Sequence, residues 1–375
     1  IFFHRNRLGL LADENVIMSR SGEFFEFFPE TVTSTLDTDP IDVASTHTKV
    51  SILRHAVSFD EELLIFSDQS QFMVTGGATL TAGNISINVT TEFEADRKVK
   101  PVGSGSNVFF TFNKGNFTGV REFFVASDTD TKKADDITAN VPKFIPANVF
   151  KLATSTTENI LIALSGDEDN ALYVFQYYVA QNKRLQSAWH KWTYGTSTSD
   201  KILNIDFIEN TLFIVNERSD GVYLETIDVS PALTDTGESY LTHLDRKLNN
   251  TQITESYNAG TNQTTITLPY AINNTMKVVG RSGASNKAGQ EIATVSQSGT
   301  SIVVSGDITA QNFFIGEQYE FEFQFSQQFL QVADSVGSRV SVKEGRLQIR
   351  NWSVSFNDTG FFTTEVTPVG RSTSN

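Results

Sequence analysis

The sequence contains no cysteine, which excludes disulfide bonds and thiolate metal sites. It also lacks any apolar run near the roughly 18 residues that a bilayer-spanning helix needs. The first residue is Ile1, and no charged segment followed by an apolar stretch marks a secretion signal. We therefore expect a piece of a longer polypeptide, without a membrane span.

Basic residues are scarce relative to acidic ones, since 29 Lys and Arg face 44 Asp and Glu and the net charge is -15. This balance argues against a phosphate-binding surface, because such surfaces are built from clustered Lys and Arg. Phenylalanine is abundant, with 30 copies, and 39% of the residues are hydrophobic. The 375 residues can therefore fill a sizeable core, in two domains or in one large all-β domain.

A repeated unit organises the first half of the chain. Each copy begins with a polar pair, and the pairs are spaced by 47, 45, 52 and 51 residues. The five pairs are Glu14-Asn15, Glu61-Glu62, Ser106-Asn107, Glu158-Asn159 and Glu209-Asn210. An apolar run follows each pair, then a turn, then a further candidate strand, namely EFFEFF, QFMVTG, VREFFV, ALYVFQYYV and GVYLETIDV. The repeat predicts five similar β-meanders.

Meanders of this length match the four-stranded blades of a β-propeller. A string of hairpins in a large β-sandwich is the alternative. The propeller interpretation predicts strand at residues 15–19, 62–67, 107–113, 159–165 and 210–216. It leaves no room for a fourth strand ahead of the first unit, so we expect strands from outside the sequence to complete the ring.

Both faces of a propeller blade pack against neighbours, which would bury the aromatic residues that alternate along FFEFF, VFFTF, REFFV and FEFQF. The side chains predicted to be mostly buried are Phe24, Phe25, Phe109, Phe110 and Phe124. Truncation of such a side chain is expected to lower the free energy of unfolding substantially.

The sequence pattern changes after Ser230. Short segments of alternating polar and apolar residues follow, without the earlier regular spacing. We predict β-propeller blades over 1–230 and a β-sandwich platform domain over 231–375. A short helix is expected around Tyr240 to Lys247. The predicted strands lie in TTITLPY, MKVVG, EIATVSQSG, SIVVSGD, FFIGEQYEFEFQFS, RLQIRNWSVSFND and GFFTTEV.

No catalytic motif is present: G-x-S-x-G, the P-loop and H-E-x-x-H are all missing. The histidines are scattered and form no pair at metal-ligand spacing; they are His4, His47, His55, His190 and His243. Asp128-Thr129-Asp130 and Asp167-Glu168-Asp169-Asn170 resemble calcium loops only superficially and are interpreted as solvated turns. We predict no catalytic site, no cofactor-binding site and no metal site.

The aromatic stretch from Trp189 to Tyr194 could stack sugars or bases. On an alternating strand, however, Trp189 and Trp192 point to opposite faces. Packing between blades is therefore the favoured interpretation, and a ligand platform is the alternative.

One family resemblance covers nearly the whole chain. FFHRNRLGLLADENVIMSRSGEFFEFF, DPID, ELLIFSDQSQFMVTG, KADDITANVPKFIP, QSAWHKWTYG, HLDRK, TITLPY, FFIGEQYEFEFQFS and GRLQIRNWSVSFNDTGFFTTEV follow in order. These blocks resemble the central part of the nozzle proteins, or tail tubular proteins B, of T7-like short-tailed bacteriophages. The family's N-terminal region and C-terminal part have no counterpart in these blocks.

The resemblance implies a structural virion protein of the tail, with no catalytic residues to carry over. It further implies six copies in a tube below an adaptor ring, contacts with tail fibres, and phage DNA that passes without specific binding. The alternative is a β-propeller tail protein that binds carbohydrate or degrades polysaccharide. Such a protein needs convergent carboxylates and aromatics in one concave site, whereas a conduit subunit needs large flat flanks.

Overall fold

The structure is a computed structural model. It describes residues 1–47, 50–77, 79–126, 131–180, 183–194, 200–231, 233–283, 287–325, 329–335, 337–342, 347, 349–351, 353–355 and 364–367. These residues contain strands and no helix, and so none that could cross a bilayer. The all-β class predicted from the sequence is confirmed.

Five antiparallel meanders, here called blade sheets 1 to 5, follow one another along the chain. Blade sheet 1 consists of β1 (Phe2–His4), β2 (Arg7–Ala12), β3 (Asn15–Met18) and β4 (Ile41–Ala44). Blade sheet 2 consists of β5 (Leu53–Phe59), β6 (Glu62–Ser67), β7 (Gln71–Thr75) and β8 (Ser86–Thr91). Blade sheet 3 consists of β9 (Val102–Ser104), β10 (Asn107–Lys114), β11 (Phe117–Ala126) and β12 (Thr131–Asp136). Blade sheet 4 consists of β13 (Val149–Ser155), β14 (Ile160–Ser165), β15 (Glu168–Ala180) and β16 (Lys183–Thr193). Blade sheet 5 has three strands, β17 (Lys201–Ile208), β18 (Thr211–Arg218) and β19 (Gly221–Asp228).

The five predicted apolar runs are strands, as the repeat requires: they are β3, β6, β10, β14 and β18. In blade sheets 2 to 5 the run is the second strand, whereas in blade sheet 1 it is the third. The prediction of four-stranded units is confirmed for blade sheets 1 to 4 and is wrong for blade sheet 5, which has three strands among the described residues. The prediction that no fourth strand fits in the first unit is also wrong. Blade sheet 1 gains a strand because β1 and β2 form a hairpin ahead of the apolar run.

The predicted strand EFFEFF is wrong. After β3 the chain leaves the sheet, turns at Gly22, whose φ of 79° is left-handed, and returns only at β4. Residues 23–28 lie in this connection, so Phe24 is 36% exposed and Phe25 is 87% exposed. The burial predicted for these two rings is wrong, because the connection covers no second sheet. Phe109 and Phe110 are fully buried and Phe124 is partly buried, as predicted.

Arg7 holds this long connection in place. The residue is 1% exposed, and its guanidinium donates hydrogen bonds to backbone carbonyls on both sides of the connection. The acceptors are the carbonyl oxygens of Ser19 at 2.7 Å, Asp39 at 2.7 Å, Asp37 at 2.8 Å, Leu80 at 3.2 Å and Thr38 at 3.4 Å. Burial lowers the pKa of Arg7, and Asp39 opposes that shift. A charged side chain therefore takes the place of a hydrophobic core under the connection.

Replacing Arg7 by methionine is expected to speed amide hydrogen exchange over residues 20–40 and to lower the free energy of unfolding by about 1–3 kcal/mol, because buried carbonyls lose their donor. Hydrogen exchange read by mass spectrometry measures the first effect. Arg5→Met is the matched control, since Arg5 is exposed and donates to the carbonyl of Gly77 at 2.7 Å. Equal exchange in the two variants would contradict the role of Arg7.

Four apolar cores lie between consecutive blade sheets, and blade sheets 2 to 4 each contribute alternate side chains to the cores on their two sides. Leu63 and Ile65 of β6 pack toward blade sheet 1, whereas Leu64 and Phe66 pack toward blade sheet 3. In the same way, Phe109 of blade sheet 3 packs against blade sheet 4. A fourth core joins blade sheets 4 and 5. This stacking of sheets face to face is the packing of a propeller.

Two further sheets enclose one separate core, formed by residues such as Ile266, Val278, Ile302 and Phe313. One sheet has the order β20 (Asp245–Asn249), β27 (Phe313–Glu317), β23 (Met276–Gly280), β24 (Glu291–Ile292). The other has the order β21 (Thr254–Asn258), β22 (Gln263–Thr267), β26 (Ser301–Ser305), β25 (Thr294–Ser298). They form a β-sandwich.

Two local predictions fail around this sandwich. The helix expected at 240–247 is wrong, because Asp245 begins β20 and Leu248 packs into the core. The predicted strand FFIGEQYEFEFQFS ends at Glu317, which pairs with Asp245 and Met276, the first residues of its antiparallel partners β20 and β23. Residues 318–325 and the described positions within 347–355 are not strand.

Residues Ile1–Tyr319 form one compact unit, and Glu320–Asn375 form a second. In the second unit, β28 (Leu330–Ala333) and β29 (Arg339–Val342) form a hairpin. Phe321, Phe323 and Phe325 are exposed. The predicted division into 1–230 and 231–375 stays a prediction.

Candidate functional site: the axial opening and the buried charge network

The first strands of all five blade sheets surround one open cavity of about 480 Å³. Blade sheet 1 contributes Phe2 and Phe3, and blade sheet 5 contributes Asp206. The lining between them comes from blade sheets 2, 3 and 4 and includes Lys100 and Lys151. The blade sheets therefore converge on a common axis.

The axial cavity does not have the chemistry of a sugar-cleaving site. Among its lining residues, all of which the structure describes, Asp206 is the single carboxylate. Glycoside hydrolysis needs a pair of carboxyl groups within roughly 10 Å of each other. Lys151 Nζ lies 3.9 Å from Asp206, whose side chain is 76% exposed. This exposed ion pair therefore contributes little to the stability of the fold. The cavity offers a mixed-charge wall and no catalytic pair.

Among the described residues, a cluster of buried charged side chains lies where blade sheet 5 meets the sandwich. Arg218, at the end of β18, forms a two-pronged ion pair with Glu225 of β19, at 2.9 Å and 3.0 Å. The Arg218 side chain is 3% exposed. Burial alone would lower the pKa of Arg218, but the surrounding carboxylates raise it by a larger amount. The pKa of Arg218 is therefore raised overall, and its guanidinium stays charged.

Arg246 of β20 brings the sandwich into this cluster. Its guanidinium lies 3.3 Å from Glu317 and 3.8 Å from Glu225, and its side chain is 6% exposed. The guanidinium also stacks 3.7 Å from the ring centre of Tyr270. Burial raises the pKa of Tyr270 to about 12. Because Arg246 contacts carboxylates from both the blade sheet and the sandwich, it fixes the two relative to each other.

Carboxylates outnumber guanidinium groups in this network. The four acids are Asp200, Glu225, Asp245 and Glu317, and the two bases are Arg218 and Arg246. Asp200 is 1% exposed, and neither of its carboxylate oxygens has a hydrogen-bond partner. Burial, followed by the nearby Glu317 and Glu225, raises the pKa of Asp245. The network therefore carries an unbalanced negative charge.

Asp245→Asn is expected to stabilise the protein at pH 7. A carboxyl group whose pKa is raised by folding binds its proton more tightly in the folded state, so its ionisation destabilises the fold as pH rises from the ordinary value through the raised one. The advantage of the variant should shrink as pH falls from 7 toward 3.8, the ordinary pKa of the carboxyl group. Urea unfolding at both pH values measures it, with the exposed Glu94→Gln as control. A variant less stable than the parent at pH 7 would refute this assignment.

The five histidines do not come together. His55 Nε2 lies 3.0 Å from the carbonyl of Arg97, and His243 Nδ1 lies 3.3 Å from the hydroxyl of Tyr319. Burial lowers the pKa of His4, His55 and His190. Within the described residues no group of three His, Asp or Glu could hold a metal ion. The prediction of no catalytic, cofactor or metal site stays a prediction.

The tryptophans lie on opposite faces of β16, as predicted. Trp189 packs 5.1 Å from Phe175, in the core between blade sheets 3 and 4, and its indole N–H donates to the carbonyl of Ile137 at 2.9 Å. Trp192 packs in the core between blade sheets 4 and 5. Packing between blades therefore accounts for both rings.

The acidic runs also have structural partners. Glu168 accepts hydrogen bonds from Lys191 at 2.8 Å and from the Tyr173 hydroxyl, and Asp167 accepts one from Asn148 at 2.7 Å. The run Asp128-Thr129-Asp130 lies outside the described residues. Sequence reasoning missed Arg7, Arg218 and Arg246. The one available signal was an arginine in an otherwise apolar strand context, as in RLGLLA around Arg7, whereas HLDRK around Arg246 is polar and offers no such signal.

The model of the bacteriophage nozzle protein family matches residues 1–375. The chain belongs to the bacteriophage nozzle protein family. This nozzle-family chain is also similar to tail tubular protein gp12 of Escherichia phage T7. The two are 31% identical over 373 residues, which cover 96% of this chain and 46% of the relative. The chain thus spans about half the length of the curated relative that it matches.

Solved structures resemble the nozzle-family chain only weakly. Hsv2p of Kluyveromyces lactis is 10% identical, with 74% of this chain and 76% of that chain covered and a TM-score of 0.36. The periplasmic gluconolactonase of Pseudomonas aeruginosa is 13% identical, with 82% and 90% covered and a TM-score of 0.32. These scores carry no argument about function.

Proposed function

We propose that the chain is part of a structural virion protein, a subunit of the short-tail nozzle that forms the tail tube and conducts the phage genome during ejection. The observation that carries the proposal is the match of the nozzle family over the whole chain. The name of the T7 relative, a tail tubular protein, supports a location in the virion tail. No enzymatic role is proposed.

The architecture suits a load-bearing part. Four extended apolar cores join five blade sheets, and a buried charge network joins the last of them to the sandwich. In the proposed assembly about six copies surround the exit path, as family resemblance implies, with the adaptor ring and the tail fibres as neighbours. The polysaccharide-binding alternative lacks support, since the axial cavity offers a single carboxylate.

Electron microscopy of the intact phage particle tests this function. We expect density for the chain in the tail, in several symmetric copies around the channel. The rings of Phe109, Phe110, Trp189 and Trp192 provide landmarks for placing the chain in the map. Density for the chain only in the capsid shell or in the fibre shafts would overturn the proposal.

DNA passing through such a tube must not be held by it, because each phosphate neutralised by Lys or Arg adds salt-dependent affinity. The isolated chain is therefore expected to show no binding to duplex DNA at micromolar concentration and physiological salt. Fluorescence anisotropy of a labelled duplex measures this. The densest basic groups are Arg97-Lys98-Val99-Lys100 and Lys132-Lys133, and Lys132 Nζ lies 3.7 Å from Glu62.

The control is a charge-reversed variant, Glu94→Lys with Asp206→Lys, placed beside the existing lysines. It should bind the duplex more tightly than the parent, with an affinity that falls as salt is added. Micromolar binding by the parent chain that weakens steeply with salt, or a predominantly basic channel wall in the assembled particle, would contradict the predicted inert conduit.

A further inference from the structure

The series of blade sheets is open between its last and first members. Each pair of consecutive sheets shares a core of fully buried apolar residues. Within the part of the chain that the structure describes, no such core joins blade sheet 5 to blade sheet 1. Yet Phe3 of blade sheet 1 and Asp206 of blade sheet 5 line the same axial cavity. The two sheets therefore border one sector around a common axis.

The outer face of blade sheet 5 carries exposed apolar side chains among polar ones, which include Asp206 and Glu217. The register places Val215 opposite Leu224, and Glu217 opposite Val222, on the face that points away from blade sheet 4. Ile208, Val222 and Leu224 are 64%, 60% and 68% exposed. The opposite face of the same strands buries Leu212 and Ile214 against blade sheet 4. One face of this sheet is thus packed against blade sheet 4. The other face exposes apolar side chains that no sheet covers among the described residues.

The outer face of blade sheet 1 has the same character. Phe2 points into the core shared with blade sheet 2, whereas Phe3 points the other way and is 63% exposed. Phe24 stands edge-on to Phe3, with ring centres 5.5 Å apart, so part of the long connection joins this face. Leu8, paired with Phe3, is only partly buried. The exposed aromatics of blade sheet 1 border the open sector.

We propose that a β-sheet supplied by the same polypeptide, from outside residues 1–375, inserts between blade sheets 5 and 1 and closes the ring. A sheet has two faces, so a single insert covers both exposed faces at once, as each internal blade sheet does. Blade sheet 5 also has three strands where the other four have four, which leaves the outer edge of β19 open among the described residues.

The length of the relative supports an insert from the same polypeptide rather than a second copy. The match covers 46% of the T7 protein, so more than half of that polypeptide lies outside the matched region. A tethered segment also has a high effective concentration at its docking site. A second copy would present the same two exposed faces and would join head to tail, without filling the sector within one subunit.

Cysteine labelling tests the insert, and the absence of cysteine from residues 1–375 makes single-cysteine variants simple to read. The variants are Leu224→Cys, Phe3→Cys and Leu185→Cys in the complete polypeptide, with any cysteine elsewhere replaced by serine. Their parent side chains are 68%, 63% and 64% exposed, and Leu185 lies on β16, away from the open sector. The rate of reaction with a maleimide is the measurement.

In the monomeric complete polypeptide, Leu224→Cys and Phe3→Cys should react at least tenfold more slowly than Leu185→Cys. In a polypeptide limited to residues 1–375 the three rates should be similar. Equal rates in the complete polypeptide would overturn the proposal, even if the shorter chain fails to fold. Protection that arises only when subunits assemble would also overturn it, in favour of a second copy. Neither result depends on a role in the tail.

Discussion

Arg246→Met is expected to lower the free energy of unfolding by about 3–5 kcal/mol, because it leaves the buried Glu317 carboxylate without a cation. Glu317, 3% exposed, and Glu225, 20% exposed, both lose their contact to the guanidinium. Stacking on Tyr270 is lost as well. Urea unfolding followed by tryptophan fluorescence measures the loss, and faster hydrogen exchange in β19 and β20 would locate it.

Lys277→Met is the matched control. Lys277 lies 2.7 Å from Glu291 in the same sandwich, but the two side chains are 31% and 53% exposed, so the loss should stay under about 1 kcal/mol. The double variant Arg246→Met, Glu317→Gln should be more stable than Arg246→Met alone, since it removes one unpaired charge. Equal losses in Lys277→Met and Arg246→Met would show that the network contributes no more than a surface pair.

Phe109→Ala is expected to cost about 3–5 kcal/mol, the usual result of removing a fully buried aromatic ring. Phe109 is 0% exposed and fills the core between blade sheets 3 and 4, with ring centres 6.4 Å from Phe175 and 6.2 Å from Tyr177. The surrounding strands cannot close the gap without moving two sheets together. The measurement is again the free energy of unfolding in urea.

Phe25→Ala supplies the comparison, because Phe25 is 87% exposed and should change stability within about 0.5 kcal/mol in the isolated chain. A cost below about 1 kcal/mol for Phe109→Ala would show that the core between these sheets is not tightly packed. A large cost for Phe25→Ala would contradict the exposed position of the connection.

The blade strands could be predicted from the sequence because alternation and spacing are local properties. The run ILIALS predicts β14 whichever neighbour it packs against, and a strand with apolar residues on both faces predicts a sheet covered on both sides. The opposite placement of Trp189 and Trp192 follows from the same two-residue period. These features need no knowledge of distant partners.

The misses have a common physical cause, since they depend on contacts between residues far apart in the chain. FFEFF has the composition of a strand, but no neighbouring strand pairs with it, and Arg7 directs the connection elsewhere. Likewise YEFEFQF alternates correctly, yet it lies beyond Glu317, the last residue paired with β20 and β23. Arg246 and Glu317 are separated by 71 residues, so their pairing could not be predicted from either position.

The order of the blade sheets has a consequence for folding. Each blade sheet pairs only strands that are consecutive in the chain, so its hydrogen bonds close short loops and can form early. Each sheet then gains stability only from its immediate neighbours, as in a linear repeat array. The sandwich differs, because β20 must find β27 across more than sixty residues. Cooperativity should therefore spread along the blades from the middle sheets outward, and in residues 1–375 alone blade sheet 1, supported on a single side, should be the first to open.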